Sequence, residues 1–562
     1  MENLDESIAD LYNIASKEEA SLSKYLLSVK TDKTALLLEI VRFMDVHLIS
    51  TFGAKRDRPE WTALYLPIYG FSTALSLLLP QTINNQGVAN SQSSPDKVGW
   101  AGSLLAQLGA LRLLERLTDL VQSRMLSVSV GHGVVTFKRV SDEVGVEMYE
   151  MLEDGLNAEK VREFYGEDEM KGKIDSATLK KMSGLVSEAE NGFITYGASP
   201  EIDHYFLNRA IQFFTGFRSF SGIHPKSEFD GVTGKELSVV AVALASLHQK
   251  HVVFCSEYLK KFGKKDWASV LTIWDEKEGL KQALVHFTGL KPVVIDRCLK
   301  LFSMNVENVG NYGKSMTPIY PALIEITKNL WLRPASAGYL NSLSFAAGEL
   351  KRTNRKIWDR EMQSREAWFR DDLYHLFMGT RYIKVGLSKQ LQHDKKTITD
   401  IDAAIFDVET SVLALFELKW QEPFGEDEAG RRSRAHNLRN GIDKWTKAVK
   451  FFIEKNGTVN LGKQLGFTED VSKSIGQVFL FVIARFNARF SGFEMGRNIS
   501  VTSWSQFQRL RLEVGPIESV FQTIIDKANE ELSRPTPGTP RTINFKVGNL
   551  EIVAEGYVSA FP

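Results

Sequence analysis

The sequence predicts a multidomain protein: a mainly α-helical N-terminal part, then an α/β domain. Three observations predict it. Apolar residues recur at helical spacing through most of the first 350 positions. Apart from one short hairpin, strand-like runs follow Lys351, at Thr399–Phe406, Val412–Trp420 and Val478–Ala484. The chain of 562 residues is also too long for one core.

Residues 3–55 read as helix, with Leu26, Leu27, Leu36, Leu37, Leu38, Ile40 and Val41 on repeating apolar faces. Trp61–Pro80 is uncharged, but it carries Thr62, Ser72, Thr73, Ser76 and an internal Pro67. A buried helix is expected there rather than a membrane span. Thr82–Lys97 is polar and rich in Asn, Ser and Gln, as loops are. Trp100–Met125 reads as a long leucine-rich helix. Leu126–Val130 and Val134–Arg139 form a short hairpin across Gly131-His132-Gly133. Helical patterns then run to about Leu350. Trp358–Met378 and Asn437–Lys455 are the helices of the α/β part, Ser533–Arg541 is a linker, and Thr542–Val547 with Leu550–Ala554 form a last hairpin across Gly548-Asn549. The expected domains are 1–195 (helical with a small β-hairpin), 196–350 (helical) and 351–562 (α/β with the C-terminal hairpin).

Composition narrows the function classes. Basic and acidic residues balance at 69 each, and 43% of residues are hydrophobic. This excludes a disordered, collagen-like or disulfide-scaffold chain and a uniformly basic nucleic-acid coat protein. The two cysteines, Cys255 and Cys298, sit in apolar stretches and read as buried reduced thiols. Met1–Asp10 is acidic with no apolar stretch, so no secretory signal is visible and a cytoplasmic protein is expected.

The chemistry concentrates in Thr399–Trp420, TDIDAAIFDVETSVLALFELKW. Two apolar strands flank the polar turn Asp407–Ser411. Side chains alternate along a strand, so Asp400 and Asp402 are expected on one face, and Glu417 with Lys419 on one face. A hairpin sets Asp402 beside Glu417. Burying Asp402, Glu417 and Lys419 unpaired would cost on the order of several kcal/mol per ion. A divalent cation relieves this. Two carboxylates and the Leu418 carbonyl suit Mg²⁺, with Mn²⁺ able to substitute. The Lys419 ammonium can orient or help deprotonate a water and stabilise charge on a phosphoryl oxygen. The competing reading is a salt bridge at a strand end, with Lys419 paired to Glu417 or Asp402.

This stretch resembles the core motif of the PD-(D/E)xK nuclease superfamily, over about Trp358–Gln506, roughly a quarter of the chain. The resemblance implies a restriction-endonuclease-like fold with a mixed sheet and a Mg²⁺-dependent endonuclease. Asp402 and Glu417 would be its metal ligands and Lys419 its catalytic lysine. The family often adds an acid from the preceding helix. REAWFRDDLYHLF offers Glu366, Asp371 and Asp372, of which Glu366 is preferred. Many members carry Gln on the helix after ExK, whereas IDKWTKAVKFF has none.

Nucleic acid, DNA before RNA, is the expected partner. Between Arg431 and Lys455, eight basic residues (Arg431, Arg432, Arg434, Arg439, Lys444, Lys447, Lys450 and Lys455) face only Asp443 and Glu454 as acids. Such a stripe beside the site is placed to meet phosphates; His436 and Trp445 could stack or donate. The helical part is expected to serve recognition, regulation or oligomerisation, as a homodimer or with a regulatory partner protein. By analogy with the superfamily, bacterial restriction or antiviral defence is the expected context. The alternatives are a catalytically weak nucleic-acid-binding or assembly module that keeps the nuclease fold, and a helical protein-interaction scaffold.

Three weaker signals are read as structural. Asn308–Ser315 nearly matches a phosphate-binding loop, but Pro318 and Pro321 interrupt the helix that should follow. His248 and His251 lack a third metal ligand. Tyr205, Phe206, Phe213, Phe214, Phe217 and Phe220 read as core.

Overall fold

The computed structural model describes residues 2–53, 61–83, 92–140, 157, 160, 174–190, 192–197, 199–221, 223–264, 266–314, 320–420, 428–485, 498–515, 517–533 and 540–558. The chain forms two compact units. One comprises Met1–Ser141, Glu169–Trp358 and Arg541–Tyr557; the other comprises Asp142–Asp168, Asp359–Pro540 and Val558–Pro562.

The first unit is mainly helical. The expected helix over 3–55 is two, Glu2–Ser28 and Lys33–Gly53. Trp61–Leu78 is a helix with Pro67 inside it, and Leu66, Phe71, Leu75 and Leu78 are buried. It crosses helix Pro95–Gln122 backbone to backbone: a Cβ on Gly70 would lie 2.0 Å from the Leu105 carbonyl oxygen, and one on Gly109 1.8 Å from that of Leu66. Only glycine fits at such a crossing. Helix Gly234–Phe262 opens with a Thr233/Glu236 capping box and closes at left-handed Gly263. Among the described residues it alone is long and apolar enough to cross a membrane, and 67% of its apolar window is buried in the protein.

The hairpin Leu126–Gly131/Val134–Arg139 forms as expected. The C-terminal hairpin also forms, as Pro540–Val547 and Leu550–Val558, but it belongs to the first unit. Leu550–Val558 pairs parallel with Val134–Arg139, giving one four-stranded sheet. The first unit thus takes residues from both expected helical domains together with most of the C-terminal hairpin, and residues 142–168 of the first expected domain go with the second unit. His248 and His251 are buried core residues, bonded to the Leu244 and Val270 carbonyls. Asn308 is buried and bonded to Ser303 and Glu349, so the loop-like motif starts in packed structure.

The second unit is an α/β layer structure. The helix expected over Trp358–Met378 is broken: a short helix Arg355–Glu361, a 3₁₀ segment Met362–Ser364, then α1, Arg365–His375. The strands are β1 (Tyr382–Lys384), β2 (Lys389–His393), β3 (Lys396–Ile401), β4 (Ala403–Asp407) and β5 (Val412–Lys419). Helix α2 (Glu428–Leu465) kinks at Gly457 (φ 77°). Then come β6 (Gln477–Ala484), β7 (Ile499–Ser503), α3 (Trp504–Val514) and α4 (Val520–Ser533). The main sheet has the order β1-β4-β5-β6-β7. Pairs β1/β4 and β4/β5 are antiparallel; β5/β6 and β6/β7 are parallel. Parallel β5 and β6 need a crossover, and α2 is part of it.

Central strands covered on both faces read as continuous apolar runs, and β5 (VLALFELK) and β6 (QVFLFVIA) do so. Ala414, Phe416 and Leu418 pack with Phe369 of α1, Phe507 of α3 and Phe521 of α4. Leu413 and Leu415 pack with Leu438, Ile442, Trp445 and Val449 of α2. β2 and β3 form a separate two-stranded ribbon.

Candidate functional site

Asp402 stands at the break between β3 and β4. The run expected as one strand, Thr399–Phe406, leaves the ribbon here and enters the main sheet. The break also separates two residues expected to act alike: Asp402 is buried and Asp400 is exposed. A residue out of both ladders needs other partners for its backbone. The Asp402 carbonyl accepts from Arg370 Nη1 of α1 at 3.0 Å. Its carboxylate Oδ2 accepts from the Leu418 N–H at 2.7 Å, just past the last β4/β5 pair, Ala403 with Phe416.

Glu417 continues the face of Leu413 and Leu415, toward α2. Its Oε1 pairs with Lys419 Nζ. Its Oε2 is buried with no hydrogen-bond partner. Lys419 is partly exposed, and its Cε lies 3.5 Å from where a Cβ would stand on Gly441 of α2. That is an ordinary van der Waals distance, so the lysine stem packs against this turn of α2. Trp445 of the same helix donates from Nε1 to the Asp400 carbonyl at 3.0 Å, tying α2 to the ribbon base.

Burial and like charge set the electrostatics. Burial raises the Asp402 carboxyl to about 6, with Glu366 and Asp400 adding to the rise against the Leu418 N–H and Lys419. Burial and then the Asp402 charge push Glu417 to about 8, against the pull of Lys419. Burial opposes the charged Lys419 ammonium, but Glu417, Asp402 and Glu366 outweigh it and hold its pKa above the usual value. The two carboxylates are therefore a strained pair that one ammonium does not neutralise. Glu417 Oε2, buried without a hydrogen-bond partner, carries the desolvation cost of that arrangement.

The structure thus brings Asp402, Glu417 and Lys419 together. Glu366, in the first turn of α1, is exposed and acts on them through its charge. Asp372 instead pairs with Arg485 at 3.0 Å, and Asp371 is exposed. Among the described residues no group of three or more His, Cys, Asp or Glu side chains is gathered for a metal ion. Any cation here would rest on the two carboxylates and main-chain or water oxygens.

The basic helix is α2. Lys444 and Lys447 lie on its exposed face. Arg439 is half-buried and has a partner of its own. The side chains of Arg431, Arg432 and Arg434 lie outside the described residues. Trp445 is 3% exposed and is a packing residue, so it offers no stacking surface.

Sequence reasoning missed Arg485. It follows β6, and its N–H donates to the Lys419 carbonyl at 2.8 Å. Its guanidinium lies 5.0, 4.8 and 5.4 Å from the rings of Phe369, Trp420 and Trp504. With Asp372 it fastens α1 beside the end of β5. A lone Arg after an apolar strand carries no signal of this in sequence. The chain matches no protein-family model, no curated protein and no solved structure.

Proposed function

We propose that the second unit is a metal-dependent endonuclease of PD-(D/E)xK type with a restriction-endonuclease-like fold, hydrolysing phosphodiester bonds, of DNA before RNA. The observation that carries the reading is the buried Asp402/Glu417 pair, with an unpartnered carboxylate oxygen and Lys419 held against it. A salt bridge alone would use Lys419 to satisfy Glu417, whereas its Oε2 stays buried and unpartnered beside that pair. The sheet order, with an antiparallel pair feeding a parallel one across α2, also supports the reading.

In this reading Asp402 and Glu417 hold Mg²⁺, with Mn²⁺ as a substitute. The ion supplies Lewis-acid polarisation of the phosphoryl oxygen and lowers the pKa of a bound water. The chain does the positioning. Arg370 and the Leu418 N–H fix Asp402 at the strand break. Glu417 keeps the Lys419 ammonium protonated, as an electrostatic donor to a phosphoryl oxygen. Glu366 adds negative charge at the rim. The first unit serves recognition, regulation or oligomerisation; cutting both strands of a duplex would call for a homodimer.

Cleavage of supercoiled plasmid, linear duplex, single-stranded DNA and RNA tests this, with Mg²⁺, Mn²⁺ or EDTA. Metal-dependent cutting is expected in the wild type and a loss of at least about 100-fold in Lys419→Ala, in line with loss of one transition-state charge donor. Calorimetric titration of Mn²⁺ is the second arm. Binding by the wild type and not by Asp402→Ala keeps the site; absence of both cleavage and metal binding leaves a nucleic-acid-binding or assembly module.

A further inference from the structure

The outward stripe of α2 holds one residue that does not belong on a solvated face. Lys444, Lys447, Phe451 and Lys455 stand at i, i+3, i+7 and i+11, one face of a helix. Phe451 is 41% exposed, while its helix neighbours Val449 and Phe452 are fully buried. A single exposed ring needs no explanation. This one differs in its surroundings. Among the described residues Lys444, Lys447 and Lys455 are exposed and take part in no ion pair. The ring is also held in place. His393, at the tip end of ribbon strand β2, meets it edge-on at 5.9 Å and 87°. His393 is itself fixed by Asn456 of α2 at 3.0 Å and by Asp394 at 3.4 Å.

The helix links this ring to the site. Gly441 lies against Lys419, and Trp445 against the ribbon base. Phe451 is ten residues beyond Gly441, about 15 Å along the axis at 1.5 Å per residue. That is a few nucleotides away along a bound strand.

We propose that Phe451 is a stacking platform for a base of single-stranded nucleic acid, with Lys444, Lys447 and Lys455 following its phosphates toward the site. The proposal rests on the reading of the second unit as a nuclease and names its substrate class. Aromatic faces stack on bases whose own faces are free, and a duplex hides them. Unpaired lysines at helical spacing supply the charge for the backbone without reading sequence. The same lysines alone would serve a duplex equally well; the exposed ring is what favours the single strand.

The test is binding in EDTA, so that cleavage plays no part. Fluorescein-labelled dT₂₀, U₂₀ and a 20-base-pair blunt duplex are titrated into the full chain, and anisotropy is read for wild type, Phe451→Leu and Phe451→Trp. Thermal melting checks that the three fold alike. Loss of one base stack is worth about 1–3 kcal/mol, or roughly 5- to 150-fold in affinity. Phe451→Leu is expected to weaken a single strand by that factor, to leave the duplex within about 2-fold, and Phe451→Trp to restore binding. The proposal is overturned if Phe451→Leu binds single strands like wild type, if the duplex loses as much, or if wild type binds neither single strand. Cleavage of circular single-stranded DNA, U₂₀ and supercoiled plasmid with Mg²⁺ is run in parallel. Cleavage with Phe451-independent binding removes only this inference; Phe451-dependent binding without cleavage removes the nuclease and keeps the single-strand surface.

Discussion

Replacing Glu417 by Gln tests the site without any substrate. Glu417 rises from an ordinary 4.5 to about 8, and Asp402 from 3.8 to about 6. For a carboxylate with a raised folded pKa, the folded chain binds more protons than the unfolded one between those two values. Stability therefore falls as pH climbs through the window, here about 4.5 to 8. At about 1.4 kcal/mol per pH unit the Glu417 rise corresponds to roughly 3–5 kcal/mol. Asp402 adds less than its own rise suggests, because part of each rise is the other's charge. Glu417→Gln removes the buried charge and keeps the shape. In EDTA at pH 8 it should be more stable than wild type by about 2–4 kcal/mol, and at pH 5 about equal. For a unit of this size that is about 5–15 °C in melting temperature. With 10 mM Mg²⁺ the order at pH 8 should reverse, since a cation between the carboxylates stabilises only the wild type. The assay is differential scanning calorimetry at pH 5, 6.5 and 8, with and without metal, following the transition of the second unit. Taking wild type minus variant cancels the titrating groups that do not interact with Glu417. The reasoning fails if the variant is less stable at pH 8 in EDTA, or if it gains as much from Mg²⁺ as the wild type.

Three further outcomes follow from the packing. His248 and His251 are pushed down to about 3, by burial first and then by the Arg333 charge; they stay neutral when folded, so stability is lost as pH falls below about 6.5, by roughly 2 kcal/mol each at pH 5. Imidazole ¹⁵N spectra at pH 5 should show the His248 and His251 rings neutral, assigned by His→Gln substitution at each position, and finding both charged refutes this. Asp407 is fully buried and takes both Arg381 Nε at 2.8 Å and Nη2 at 2.6 Å; Asp407→Ala should cost about 1–3 kcal/mol by urea unfolding, because the guanidinium loses two charge-assisted bonds while keeping Glu409 at 2.8 Å. Gly109→Ala would press a methyl group onto the Leu66 carbonyl; it should destabilise the first unit by about 3 kcal/mol or more, while Gly441→Ala, with only the Lys419 Cε at 3.5 Å, should be neutral or stabilising by up to about 1 kcal/mol.

What the sequence determined by itself is local. Charge interrupting two apolar strands marked Asp402, Glu417 and Lys419, because ions in buried strands need partners to offset their desolvation. Continuous apolar runs located β5 and β6, period 3.6 located α2, and alternation across glycine turns located both hairpins. The tertiary structure decided what depends on distant pairing. Thr399–Phe406 reads as one strand, yet it changes partners at Asp402, since β3 pairs with β2 and β4 with β1 and β5. The C-terminal hairpin was legible, but its sheet was not: Leu550–Val558 finds Val134–Arg139 more than 400 residues earlier, and hydrogen-bond ladders carry no sequence address. Trp445 and Phe451 look equally available in a lysine-rich helix. Only the packing of α2 on the sheet buries the first and leaves the second exposed, because which face of a helix meets the core is settled by all its contacts together.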